Sequence, residues 1–148
     1  MFDMNQFSLK DKVALVTGGG RGIGQAIAFG FARAGAKVAI TSRKAPDLEA
    51  TACTMDEVGC ETLVVPAHLG RLDEIQRVVD TVVQEFGRLD ILVNNAGASP
   101  AMASVLDSDE RLWDTIMNLN LKGVYFMGQA AAKVMKKQGG GKIINIAS

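Results

Sequence analysis

Short apolar runs alternate along the chain with longer stretches in which apolar residues recur every three to four positions. Val13 to Thr17, Val38 to Thr41, Leu63 to Val65, Ile91 to Val93 and Ile143 to Ile146 are largely β-branched or Leu and are bounded by turn residues. Runs of this kind read as strands buried on both faces. Between them, Ile23, Ile27, Phe31 and Ala34 keep to one helical face, as do Ile75, Val78, Val79, Val82, Val83 and Phe86. The same spacing links Leu112, Ile116, Leu119, Gly123, Met127, Ala130 and Val134. Each such face predicts a helix laid on a sheet.

Stop and start signals agree with this periodicity. Gly35, Gly59, Gly87 and Gly139 follow helical stretches, where a left-handed terminal residue is wanted, and Lys133, Lys136 and Lys137 oppose the negative end of the last helix. Ser108 is the expected N-cap of that helix, and Pro46 or Asp47 opens the second one. The order β-α-β-α-β-α-β-α-β requires right-handed crossovers and a parallel sheet with helices on both faces. The predicted fold is a doubly wound α/β sheet of five strands with four intervening helices.

Composition narrows the choice of partner more than the choice of fold. A chain of 148 residues, 48% apolar, can bury roughly 70% of its unfolded surface without disulfides or structural metals. Sixteen basic residues balance sixteen acidic ones, which removes the long-range attraction that a nucleic acid or an anionic membrane needs. Neither is expected as a partner. The longest nearly apolar stretch, Ala26 to Ala36, is interrupted by Arg33 and is far shorter than a bilayer span, and Met1 to Lys12 has no apolar signal-peptide core. A cytoplasmic location is the expectation. Cys53 and Cys60 form no Cys-x-x-Cys pair and His68 is the one histidine, so no protein-made metal site is expected and both thiols read as reduced packing residues.

The first strand runs through Thr17-Gly18-Gly19-Gly20-Arg21-Gly22-Ile23-Gly24 directly into a helix. In a doubly wound sheet the ligand crevice lies beyond the carboxyl ends of the strands, so this turn sits at its mouth. Glycines there let backbone N–H groups approach a pyrophosphate, and the helix N-terminus favours negative charge. A triphosphatase loop would need Lys followed by Ser or Thr where the chain has Gln25-Ala26. The G-x-G-x-x-G register does not fit at any offset, but Gly18, Gly22 and Gly24 do fit G-x-x-x-G-x-G.

Thr17 to Gly24 resembles the coenzyme loop of short-chain dehydrogenases/reductases. Asn94-Asn95-Ala96-Gly97 after the fourth strand is similar to that family's N-N-A-G motif, Asn120 lies in a matching Asn-Leu-Lys-Gly-Val-Tyr context, and Ile144 to Ser148 is similar to the strand that ends on its catalytic serine. The resemblance covers almost the whole chain but about the first half of a family member. It implies a Rossmann-type dinucleotide-binding domain over residues 1–148, incomplete at its C-terminus. It also implies hydride transfer between a nicotinamide coenzyme and a small-molecule alcohol or carbonyl, and assembly of the full-length protein into a homo-oligomer, a tetramer or dimer.

The resemblance assigns roles residue by residue. Thr17, Gly18, Gly20, Arg21, Gly22, Ile23 and Gly24 would meet the coenzyme diphosphate, and the backbone of Asn95, Ala96 and Gly97 would line its ribose, with Asn94 bracing the sheet. Asn120 would interrupt its helix and support a proton relay, with Asn118 as a competing candidate, and Ser148 would polarise the substrate oxygen. After the third strand the family carries an acid facing the adenine. This chain has Ala67-His68-Leu69-Gly70 there, so His68 and Leu69 are the adenine candidates, through the ring, through the backbone, or as a plain surface loop.

At the end of the second strand an acid would select NAD(H) by repelling a 2′-phosphate. Here the chain reads Thr41-Ser42-Arg43. Ser42 can donate a hydrogen bond and Arg43 and Arg21 can form charge-assisted ones, so NADP(H) is the expected coenzyme and NAD(H) the less favoured one. The competing reading of Arg43 and Lys44 is a solvated turn. The family's proton donor is a tyrosine with a lysine four residues later, downstream of the serine strand. Tyr125, the one tyrosine, lies upstream and has Gln129 at that spacing. The chain alone is therefore expected to bind nucleotide weakly and to turn over no substrate. The alternatives are a non-catalytic nucleotide-binding module and, more distantly, a methyltransferase.

Overall fold

The computed structural model of the chain describes residues 4–147. After a 3₁₀ turn at Met4–Phe7, five strands, β1 (Val13–Thr17), β2 (Lys37–Thr41), β3 (Thr62–Val64), β4 (Ile91–Asn94) and β5 (Lys142–Asn145), form one sheet in the order β3-β2-β1-β4-β5. Every pairing is parallel. The helices are α1 (Gly22–Arg33), α2 (Ala45–Asp56), α3 (Leu72–Phe86), α4 (Glu110–Met117) and α5 (Val124–Lys137), the last two joined by a π-helical turn at Asn118–Gly123.

Strand residues alternate between two cores. Val13, Leu15 and Leu92 pack with residues of α3 and α5 such as Val78 and Met127. Ala14, Val16, Ile91 and Val93 pack on the other face with Ala28 of α1 and Leu48 of α2. Two-faced burial is why the central strands lack a polar alternation. Each fully buried Leu, Ile or Val on them contributes about 1.5–3 kcal/mol relative to exposure.

The end of the sheet opposite the carboxyl ends of the strands is tied by one carboxylate. Asp90, which is buried, accepts from the backbone N–H of Val13 at 2.9 Å and from the guanidinium of Arg88 at 2.8 and 2.7 Å. Burial pushes the Asp90 carboxyl up, but the Arg88 hydrogen bonds, the Val13 N–H and the nearby positive charges outweigh it and hold the group below its ordinary value. Gln138, just past α5, donates to the Leu89 carbonyl at 2.6 Å and accepts from its N–H at 3.2 Å. The entry to β4 is thereby pinned to both β1 and α5.

The strand reading needs correction at the edges. β3 and β5 are both edge strands, but β3 is half-buried beneath α2, whereas all four residues of β5 are exposed and belong to neither core. Asp109, not Ser108, caps α4, its carboxylate accepting from the Leu112 N–H at 2.7 Å. α2 begins at Ala45, one residue before Pro46. Both cysteines are free, with Cys60 buried and Cys53 exposed on α2, so Cys53 is not a packing residue. No helix among the described residues is long and apolar enough to cross a membrane.

Candidate functional site at the switch point of the sheet

The chain runs outward from β1 to β2 and β3, then returns to place β4 on the other side of β1. The loops leaving β1 and β4 therefore diverge, and the gap between them is where an open α/β sheet binds ligands. A cleft of about 390 Å³ lies there, lined among others by Gly20, Arg21, Ile23, Arg43, Leu69 and Ala96. Its size falls within the range of small-molecule sites.

The turn after β1 is shaped by close approach. Gly18 has φ +69°, and a Cβ on Gly24 would lie 2.2 Å from the Gly18 carbonyl oxygen and 2.4 Å from the Asn95 amide nitrogen. Gly24 is thus buried beneath the turn and lets α1 close against it. Gly18, Gly20, Arg21, Gly22 and Ile23 line the cleft itself. α1 has no side-chain cap, so its first N–H groups open onto the cleft without intrahelical acceptors.

Thr17 lies behind this wall. Its hydroxyl donates to the Val93 carbonyl at 3.2 Å and accepts from the N–H groups of Asn95 and Ala96, both at 2.9 Å. One donor and two acceptor positions are all a hydroxyl has, and Thr17 spends them inside the protein. The Asn95 side chain donates back to the Thr17 carbonyl at 2.9 Å. The two diverging loops are therefore stitched together at the switch point. Asn94 instead braces the sheet, donating to the Asn145 side chain of β5 at 2.9 Å.

On the far wall the helical segment from 110 to 137 is interrupted where Asn120 stands. The Asn120 amide donates to the Ala98 carbonyl and accepts from the Ala98 N–H, both at 2.9 Å. Asn118 lines a separate open groove with His68, Arg71 and Arg111. Between the two asparagines, geometry brings Asn120 to the loop after β4.

His68 also lies outside the cleft. Its ring nitrogen Nδ1 accepts from the Gly70 N–H at 3.2 Å, and its backbone N–H donates to Glu74 at 2.9 Å, a contact that holds the Glu74 carboxyl below its ordinary value. Both of the groups the sequence offered for a base are engaged in closing their own loop, while Leu69 faces the cleft. Ser148 lies outside the described residues.

At the end of β2, Ser42, Arg43 and Lys44 line the cleft together with Arg21 from the glycine turn. None of these three cations has an ion-pair partner among the described residues. Sequence reasoning missed Lys44, Asp47, Ala67 and Leu119 as lining residues. Lys44 adjoins Arg43 and could have been read with it. Leu119 reads as core from its helical spacing and does pack against the core, but it also lines the cleft, for which the sequence carried no signal.

The sequence profile of the short chain dehydrogenase family matches residues 12–148. The chain belongs to this family. The 2-dehydro-3-deoxy-D-gluconate 5-dehydrogenase of Escherichia coli (strain K12) is 45% identical over 146 residues, covering 98% of this chain and 56% of that protein. Two solved short-chain dehydrogenase structures share the fold. A 7 α-hydroxysteroid dehydrogenase complexed with NADH and 7-oxo glycochenodeoxycholic acid superposes with a TM-score of 0.94 at 30% identity, covering 100% of this chain and 57% of that one. A metagenomic short-chain oxidoreductase in complex with NADP gives 0.91 at 36% identity, covering 95% and 63%. The chain spans about half the length of the curated relatives it matches.

Proposed function

We propose that the chain provides the coenzyme-binding part of an NADP(H)-dependent oxidoreductase that interconverts an alcohol and a carbonyl on a small molecule. The observation that carries the coenzyme choice is the set of Arg21, Arg43 and Lys44, unpaired and facing one cleft, with Asp47 as the one acid among its lining residues. Three cations against one carboxylate favour a ligand bearing an extra phosphate over one bearing a hydroxyl there.

The remaining lining fits the rest of such a ligand. The first N–H groups of α1 hold the diphosphate, Ser42 and the cations hold the ribose phosphate, and the apolar strip of Ala67, Leu69, Ala96 and Leu119 flanks the base. When bound, the nicotinamide ring gives or takes the hydride. Asn95, Ala96 and Gly97 supply the wall beside the ribose, and Asn120 keeps that wall in place through Ala98. Ser148 is the residue proposed to polarise the substrate oxygen. The full-length protein is proposed to be cytoplasmic and to assemble with copies of itself, for which exposed Trp113, Leu121 and Tyr125 offer apolar surface.

Calorimetric titration of the chain with NADPH and with NADH tests the coenzyme assignment. NADPH binding about tenfold or more tighter, with the difference shrinking as salt is raised, is expected. Equal affinity for the two removes the NADP(H) reading.

A further inference from the structure

Besides Leu119, which lines the cleft, the π turn meets the cleft wall from behind at a second residue. Gly123, its last residue, is buried, and a Cβ built on it would lie 2.4 Å from the carbonyl oxygen of Leu69 and 3.4 Å from its carbonyl carbon. A gap of 2.4 Å is closer than any real Cβ contact, and the atom it meets is backbone, not the tip of a flexible chain. Leu69 is part of the cleft wall and is itself buried in the core beneath it. Gly123 and Leu69 also border, with Ala96 and Leu119, a partly open gap of about 10 Å³, too small to take up a displaced peptide.

We infer that Gly123 is a positioning residue for the coenzyme: the absence of a side chain lets the π turn pass under the Leu69 carbonyl and so sets how far Leu69 stands into the base end of the cleft. This rests on the NADP(H) reading above. Adding one methyl group drives the Leu69–Gly70 peptide toward the cleft, because the other side is filled by α5 and β4. Leu69 then occupies space that a flat base needs, while the glycine turn that holds the diphosphate, on the opposite side of the switch point, is untouched. Gly128, five residues further on in α5, is the internal comparison, since a Cβ there meets nothing within 4 Å.

The test is a titration of wild type, Gly123→Ala and Gly128→Ala with two probes, adenosine 2′,5′-bisphosphate and inorganic pyrophosphate. Gly123→Ala is expected to weaken the bisphosphate about tenfold or more and to leave pyrophosphate unchanged, whereas Gly128→Ala leaves both as in wild type. A Gly123→Ala chain that binds the bisphosphate like wild type, or loses both probes in proportion, overturns the inference while the NADP(H) reading stands. A wild type that binds pyrophosphate but not the bisphosphate overturns the coenzyme reading and this inference with it. If Gly123→Ala does not fold, the amide spectrum of the ¹⁵N-labelled wild type decides. The Gly123 and Gly70 signals should move as the bisphosphate is added while Gly128 stays, and an unmoved Gly123 signal refutes the coupling.

Discussion

Asn120 and Ala98 hold each other by a reciprocal pair of hydrogen bonds, amide to carbonyl and N–H to amide oxygen, each 2.9 Å long across 22 residues of sequence. One side chain thus satisfies both backbone polar groups of one residue, in a loop that has no ladder of its own. Asn120→Asp keeps the acceptor but sets an oxygen against the Ala98 carbonyl. It should cost about 0.5–1.5 kcal/mol and open the segment after β4 to protease. Unchanged melting temperature and unchanged cleavage between residues 97 and 109 would show that the pair contributes nothing.

Thr17 should matter for its hydroxyl and not for its size. Thr17→Val is nearly isosteric but strands the Asn95 and Ala96 N–H groups and the Val93 carbonyl, each costing about 1–3 kcal/mol if it stays dry. Thr17→Ser keeps all three bonds and loses one methyl, about 1 kcal/mol. Urea denaturation of the two variants should rank Val well below Ser, and the reverse order would contradict the bonding described here.

The coenzyme choice can be pushed by charge. Arg43→Asp replaces an exposed cation at the cleft by an acid and should weaken NADPH by about tenfold at low salt, while changing NADH by less than about threefold. Parallel losses for both coenzymes would mean that Arg43 acts on the loop and not on the phosphate.

Asp90 makes the stability depend on pH with a definite sign. Its carboxyl is held below its ordinary value in the folded chain, so its contribution is present above the unfolded value of about 3.9 and is lost as pH falls through the lower folded value. Denaturant midpoints measured from pH 7 down to below pH 3 should fall for wild type as the solution acidifies. Asp90→Asn should start lower at pH 7 and show a shallower fall. Identical slopes would place the acid sensitivity elsewhere.

Much of the site is legible in the one-dimensional pattern because backbone requirements write themselves as residue types. The tight turn from Gly18 to Gly24 announces itself by its glycines, since a Cβ on Gly24 would run into the Gly18 carbonyl oxygen. The absence of an acid after β2 is likewise visible at Thr41-Ser42-Arg43. The direction in which a loop residue points is not visible. His68 and Leu69 are neighbours with equal claims as sequence, yet Leu69 enters the cleft while His68 turns away, held by Gly70 and Glu74.

Alternating apolar runs and glycine punctuation were sufficient by themselves to dictate a two-sided parallel sheet and the position of its glycine turn, because burial periodicity and steric exclusion are local properties of the chain. Tertiary structure alone decided which polar groups are spent internally and which remain for a ligand. The Thr17 hydroxyl is taken up by residues 76 to 79 positions away, and Leu119, which packs on the core as its spacing predicts, also lines the cleft beside the π turn. Hydrogen-bond partners and helix register at such sites depend on segments distant in sequence, and no local pattern encodes that distance.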